Sequence, residues 1–202
     1  MMRSLCLLSL LLVSAGALSL SSRRAFVSTG VASAVAASAL PVLAAIPETG
    51  AKAPDFDLPN SRGEGNTSLN SLTNSGKWTV LYFYPGAFTS GCTLEARGFQ
   101  ADFERYAKLN TQVVGVSVDS VEKIAQFCSA EKLDFYMLSD NGGKVSKDYG
   151  SALSIPGFGS FSNRQTYIID PKGNLRWVFT DVESHIPRHS TEVLEKLSEL
   201  IA

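Results

Sequence analysis

The sequence predicts an α/β protein in which a central mixed sheet is flanked by helices. Three observations lead there. The runs at 78–84 and 112–119 are almost continuously apolar, the pattern of strands covered on both faces. Each is followed by a stretch whose apolar residues recur at helical spacing. Near the C-terminus two extended runs flank Pro171-Lys172-Gly173-Asn174, which reads as a hairpin.

Taken in order, residues 55–58 and 67–69 are short extended runs around a turn-rich joint, Pro59-Asn60-Ser61-Arg62-Gly63. Residues 78–84 form a strand that Pro85-Gly86 terminates. Residues 94–109 read as one helix, with Ala96, Phe99, Phe103, Tyr106 and Ala107 at helical spacing. A second buried strand carries Val113-Val114-Gly115-Val116-Ser117-Val118. Ser120 then caps a helix that runs to about Lys132 and turns Ile124, Phe127 and Cys128 inward. A strand at 136–139 and a short helix at 144–149, ended by Gly150, follow. The hairpin strands are 166–170 and 175–180. A helix at 190–200 closes the chain, with Val193, Leu194, Leu197 and Leu200 on one face.

The first 45 residues are of another kind. They hold Arg3, Arg23 and Arg24 and no carboxylate; the first acid is Glu48. Arg3, the apolar 5–13 and Ala15-Gly16-Ala17 read as a signal peptide, too short to span a bilayer. Ser21-Ser22-Arg23-Arg24-Ala25-Phe26, a milder apolar run at 27–43 and Val42-Leu43-Ala44 resemble a twin-arginine export signal. A membrane anchor at 31–46 is the other reading, weakened by Pro41 and a high content of Ala and Ser. Two signals in series resemble precursors of algae with complex plastids, and imply a plastid, thylakoid-lumen destination; secretion is the rival. Cys6 falls in the removed part. The mature domain is then 46–202. It carries all 19 acidic residues and 15 of the 18 basic ones, a formal charge of −4. With no basic cluster, nothing points to nucleic acid, and no stable membrane insertion of the mature form is expected.

The chemistry gathers at Tyr82-Phe83-Tyr84-Pro85-Gly86-Ala87-Phe88-Thr89-Ser90-Gly91-Cys92-Thr93. It places a cysteine near a helix N-terminus, just past a buried strand. Unpaired N–H groups there carry partial positive charge and favour thiolate over thiol. A cysteine of ordinary pKa, about 8.5, is only about 3% thiolate at pH 7; at a pKa of about 6 it is about 90% thiolate. A buried, inert cysteine is the alternative.

The arrangement Pro85, Thr89, Cys92 resembles the active-site signature of peroxiredoxins. Phe83-Tyr84-Pro85, Gly91-Cys92-Thr93 and Glu95-Ala96 are most similar to the Q-type (bacterioferritin-comigratory) branch. The resemblance covers most of 51–202. It implies a thioredoxin-like fold and a peroxidatic role for Cys92, acting on hydrogen peroxide and organic hydroperoxides. Thr89, one turn before Cys92, is spaced for its hydroxyl to meet the sulfur and peroxide, or it serves as the helix N-cap. Pro85 fixes the loop backbone and can shield the thiolate. Arg164, in Asn163-Arg164-Gln165-Thr166, matches the family's guanidinium; without the resemblance it reads as a surface arginine. Many Q-type members have a second cysteine five residues after the first, but here that position is Arg97. The resolving role passes to Cys128, 36 residues on, or Cys128 is a buried structural thiol. Thioredoxin or a similar dithiol is the implied reductant, and a monomer the implied state. The alternatives are a one-cysteine enzyme resolved by glutathione or another protein's thiol, and a non-catalytic holdase or redox sensor.

No cofactor and no metal are expected. There is no C-x-x-C and no Gly-rich phosphate loop. His185 and His189 are four apart, but Pro187 intervenes, so both read as solvated loop or helix-start residues. Gly157-Phe158-Gly159-Ser160-Phe161 reads as a loop before Arg164.

Overall fold

The structure is a computed structural model that describes residues 45–155, 157 and 159–202. The expected targeting segment lies outside the described residues except for Ala45.

The strand that precedes the cysteine is the middle of the sheet. β3 (Trp78–Phe83) pairs in parallel with β4 (Thr111–Ser117) and antiparallel with β8 (Gln165–Ile169). With β5 (Tyr136–Ser139) and β9 (Leu175–Phe179) they form a five-stranded mixed sheet in the order β5-β4-β3-β8-β9. Side chains alternate across a strand, so β3 feeds two cores. Val80 and Tyr82, with Tyr84 just beyond the strand, join one core. Its helical side comes from α2 (Ser90–Ala101), α3 (Phe103–Lys108), α4 (Val121–Glu131) and α6 (His189–Ile201). Leu81 and Phe83 join the other, with α1 (Leu69–Asn74), α5 (Lys144–Asp148) and the hairpin of β1 (Asp57–Pro59) and β2 (Asn66–Ser68). Each fully buried Leu or Phe contributes about 1.5–3 kcal/mol of transfer free energy. Burial on both faces is why β3 and β4 are apolar almost throughout.

Three expectations change. The helix expected at 94–109 is two helices, divided at Asp102. The Asp102 carboxylate accepts from Arg105 at 2.7 Å and from the Ser190 hydroxyl of α6 at 2.8 Å. α1, held by a capping box between Ser68 and Ser71, has no counterpart in the sequence reading. The loop expected at 157–161 before Arg164 belongs instead to a separate hairpin of β6 (Ala152–Ile155) and β7 (Gly159–Ser162). Its foot is held where the Ser162 hydroxyl meets that of Ser146 at 2.7 Å, which in turn donates to Asp140. Among the described residues no helix is long and apolar enough to cross a membrane.

Gly115 of β4 has a steric reason. It faces Tyr82 of β3, whose hydroxyl donates to the Met137 sulfur of β5 at 3.2 Å across the glycine. A Cβ there would stand 2.3 Å from that sulfur and 2.8 Å from Tyr82 Cζ. Met137 can give way; the Tyr82 ring, stacked on Phe99, cannot. Gly115→Ala is therefore expected to cost about 1–3 kcal/mol, read as a lowered urea midpoint with unchanged slope.

Candidate active site

β3 delivers the chain to the site. The Tyr84 N–H donates to the Val116 carbonyl at 3.0 Å, which extends the β3–β4 pairing by one residue before Pro85 bends the backbone away. The turn at 85–88 is fixed by Asp119, beyond the end of β4, whose carboxylate accepts the Ala87 N–H at 2.6 Å. The same carboxylate takes the Ser117 hydroxyl at 3.1 Å and Lys123 at 2.5 Å, so it ties this turn to the start of α4. Phe88 sits in the left-handed region, φ 68°, with its ring edge-on to Phe127 of α4 at 5.3 Å.

Thr89 is the N-cap of α2 by backbone, and its carbonyl accepts the Thr93 N–H at 2.9 Å. Its hydroxyl donates to the Gly86 carbonyl at 3.2 Å, making neither a side-chain cap nor a bond to the sulfur. Cys92 lies in the first turn of α2 and is 1% exposed. Pro85, seven residues earlier, is half-buried.

Arg164 reaches Cys92 because β8 runs antiparallel beside β3, with Gln165 opposite Phe83. The residue before β8 is thereby brought to the end of β3 where the cysteine helix starts. Arg164 is 4% exposed and its three nitrogens have three partners. Nη2 donates to Cys92 Sγ at 3.5 Å, Nε to Glu183 at 2.8 Å, and Nη1 to Glu95. Burial alone would lower the Arg164 pKa, but Glu95, Glu183 and Cys92 hold it above the ordinary value, so it stays a cation. Burial pushes the Glu95 carboxyl up to about 7, against the pull of Arg164. The helix is shaped to this guanidinium. A Cβ on Gly91 would stand 3.1 Å from Arg164 Nη2 and 3.2 Å from Ile186 Cδ1, in the 3₁₀ turn Ile186–Arg188.

Sequence reasoning missed Glu95 and His189. Glu95 stood in the quoted motif, but its partner is 69 residues away. Among the described residues its second oxygen has no hydrogen bond, and His189 Nε2 lies 4.0 Å from it. The expectation that His189 is solvated is corrected. It is buried between Phe99 and Phe179, both edge-on, and shares a 2.8 Å hydrogen bond with Thr166. Burial lowers its pKa to about 4, so it is neutral at pH 7. His185 is part-exposed and pairs with Glu192 at 3.0 Å.

Cys128 is not brought to Cys92's partners. It is half-buried on α4, and its thiol donates to the Ser61 hydroxyl at 3.5 Å; burial raises its pKa. Ser61 hangs from the β5 edge through its N–H to Met137, whereas Arg164 stands at β8. Those anchors are three strand spacings, about 14 Å, apart across the sheet. Both thiols are free. Arg97, where many Q-type chains place the second cysteine, pairs with Glu131 of α4 at 2.5 Å.

A thiol held at a helix start by a buried, fixed cation is arranged for anionic sulfur chemistry. The AhpC/TSA family model matches residues 49–178. The chain belongs to the AhpC/TSA family. This peroxiredoxin is an enzyme of the thiol peroxidase class with a thioredoxin-like fold. Chloroplastic peroxiredoxin Q of Sedum lineare is 36% identical over 151 residues, 75% of this chain and 78% of that one. Peroxidoxin BcpB of Mycobacterium tuberculosis is 32% identical with a TM-score of 0.69, covering 76% of this chain and 97% of that one. The bacterioferritin comigratory protein of Xanthomonas campestris, studied for alkyl peroxide reduction, is 25% identical with a TM-score of 0.68. That match covers 77% of this peroxiredoxin and 100% of that chain. Xanthomonas peroxiredoxin Q has also been solved as serine variants of two cysteines 36 positions apart. The chloroplastic relatives support a plastid location for this peroxiredoxin.

Proposed function

We propose that Cys92 is the peroxidatic residue of a two-cysteine peroxidase. The observation that carries this is the Cys92 sulfur, in the first turn of α2, 3.5 Å from the buried Arg164 guanidinium. The thiolate attacks one peroxide oxygen; an S–O bond forms, the O–O bond breaks, and the leaving oxygen takes a proton as water or alcohol. Cys92 is left as a sulfenic acid. Negative charge gathers on the leaving oxygen in that step, and Arg164 and the amides at the start of α2 are the donors suited to it. Pro85 shapes the turn that excludes water. Thr89 meets the substrate by turning its hydroxyl from the Gly86 carbonyl.

Cys128 then attacks the sulfenic sulfur, forming a disulfide and releasing water. The matching interval of 36 residues in the Xanthomonas protein supports this. A disulfide needs Cα atoms within about 7 Å, so the first turns of α2 and the Cys128 segment must unwind locally. Thioredoxin or a similar dithiol returns both thiols. A second reading, a one-cysteine enzyme resolved by glutathione or an external protein thiol, draws on the Cys128–Ser61 bond and the distance between the anchors.

Residues 1–45 act as the targeting presequence, and 46–202 as a monomeric enzyme whose final compartment is the thylakoid lumen. The test uses the chain from Ala45 with one equivalent of hydrogen peroxide, followed by intact mass and peptide mapping. Loss of two hydrogens with a Cys92–Cys128 link is expected. One added oxygen on Cys92 with Cys128 free would select the second reading, and an unmodified Cys92 would sink both.

A further inference from the structure

We infer that Glu183 makes this enzyme select neutral hydroperoxides over anionic ones. The inference rests on the reading of Cys92 as the attacking thiolate. Glu183 lies on the segment between β9 and the 3₁₀ turn, and its side chain is 72% exposed while its partner Arg164 is 4% exposed. A solvated carboxylate is thus fixed against a buried cation. The Nε contact at 2.8 Å and the Nη2 contact at 3.5 Å are joined by the rigid guanidinium. That keeps the Glu183 carboxylate within about 9 Å of the sulfur.

The charges decide the selection. Arg164 supplies the positive charge of the site, and Glu183 and the thiolate supply two negative ones before Glu95 is counted. The nearby cation Arg188 does not offset this, because it pairs with Glu192 at 3.2 Å. His189, facing Glu95, is neutral, and His185 is taken up by the same Glu192. A hydroperoxide carrying a carboxylate therefore approaches a site of net negative charge with its cation already shared. An uncharged hydroperoxide meets no such penalty. For a substrate carboxylate as far from Glu183 as the sulfur is, about 9 Å, the repulsion between two unit charges corresponds to about a twofold change in rate in bulk water, and about fivefold at half that dielectric.

The test compares one short alkyl hydroperoxide that bears a carboxylate with its methyl ester, so that only charge differs. The rate of Cys92 oxidation is measured by stopped-flow fluorescence on the chain from Ala45, with dithiothreitol as reductant, for the wild type, Glu183→Gln and Glu183→Lys. Glu183 is exposed, so these variants are expected to fold. The acid-to-ester rate ratio should rise about two- to fivefold in Glu183→Gln and further in Glu183→Lys at low salt. Both gains should shrink in about 0.5 M NaCl, where screening reaches only a few ångströms. A ratio that stays at the wild-type value in both variants, or a rise indifferent to salt, overturns the inference. If neither peroxide oxidises wild-type Cys92, the Cys92 reading itself fails; an unchanged ratio with Cys92 still oxidised fails this inference alone.

Discussion

Arg164→Met is expected to lower kcat/KM for hydrogen peroxide by about 10²–10³-fold, the scale seen when one fixed donor to a developing oxyanion is removed. The guanidinium is the group that touches the sulfur, and its other two nitrogens are held by Glu95 and Glu183, so it stands in place before peroxide arrives. The same change leaves Glu95, 1% exposed, without its cation. Removing one partner of a buried ion pair costs about 3–5 kcal/mol, so the urea midpoint should fall with the rate. Arg164→Lys separates the two effects. An ammonium keeps the charge but cannot face three partners in a plane, so stability should recover more than activity. Activity within tenfold of wild type in Arg164→Met would remove the arginine from the proposed chemistry.

The second large effect is a pair of opposite pH dependences built into neighbouring buried groups. His189 has a folded pKa of about 4, below its ordinary 6.5. The unfolded chain therefore binds its proton first, and the histidine's contribution is full above about pH 6.5 and is lost as pH falls towards 4. The shift corresponds to about 3 kcal/mol. Glu95 is shifted the other way, from 4.5 to about 7. There the folded state holds the proton more tightly, so its contribution is full below pH 4.5 and is lost as pH rises towards 7. In the wild type the two partly cancel. Urea midpoints at about pH 5 and pH 7 should separate them: His189→Gln more stable at the acid end, Glu95→Gln less stable there. Slopes of the same sign in both variants would contradict the assignment.

What was legible in the sequence follows from how far apart the deciding partners are. Strands β3 and β4 were readable because both their faces are buried, which leaves apolar runs, that of β3 closed by Pro85-Gly86; the edge strand β9, only partly buried, was readable from its turn. The start of the helix carrying Cys92 was readable because start signals are local, although the Thr89 hydroxyl read as its cap bonds the Gly86 carbonyl instead. The break at Asp102 was not; one of the two partners of its carboxylate, Ser190, lies 88 residues on. The hairpin before Arg164 escaped for a different reason. Its strands pair only with each other and leave most side chains exposed, so no alternation marks them. His189 was misplaced because burial between Phe99 and Phe179 is a property of packing, invisible at a polar helix start. Glu95 lay in plain view in the motif, but a carboxylate on an otherwise apolar helix face gains meaning only when β8 brings Arg164 to it.

The turn at Phe88 has one more consequence. An L-residue held at positive φ stores about 1 kcal/mol that the same peptide would not carry in an ordinary conformation. Here that tension is held by two clasps, the Ala87 amide on Asp119 and the Phe88 ring on Phe127, the neighbour of Cys128. Releasing either clasp lets the backbone recoil. An unwinding of the first turn of α2, as proposed for disulfide formation, would recover that strain, and the Phe88–Phe127 contact ties the turn to the stretch of α4 that carries Cys128.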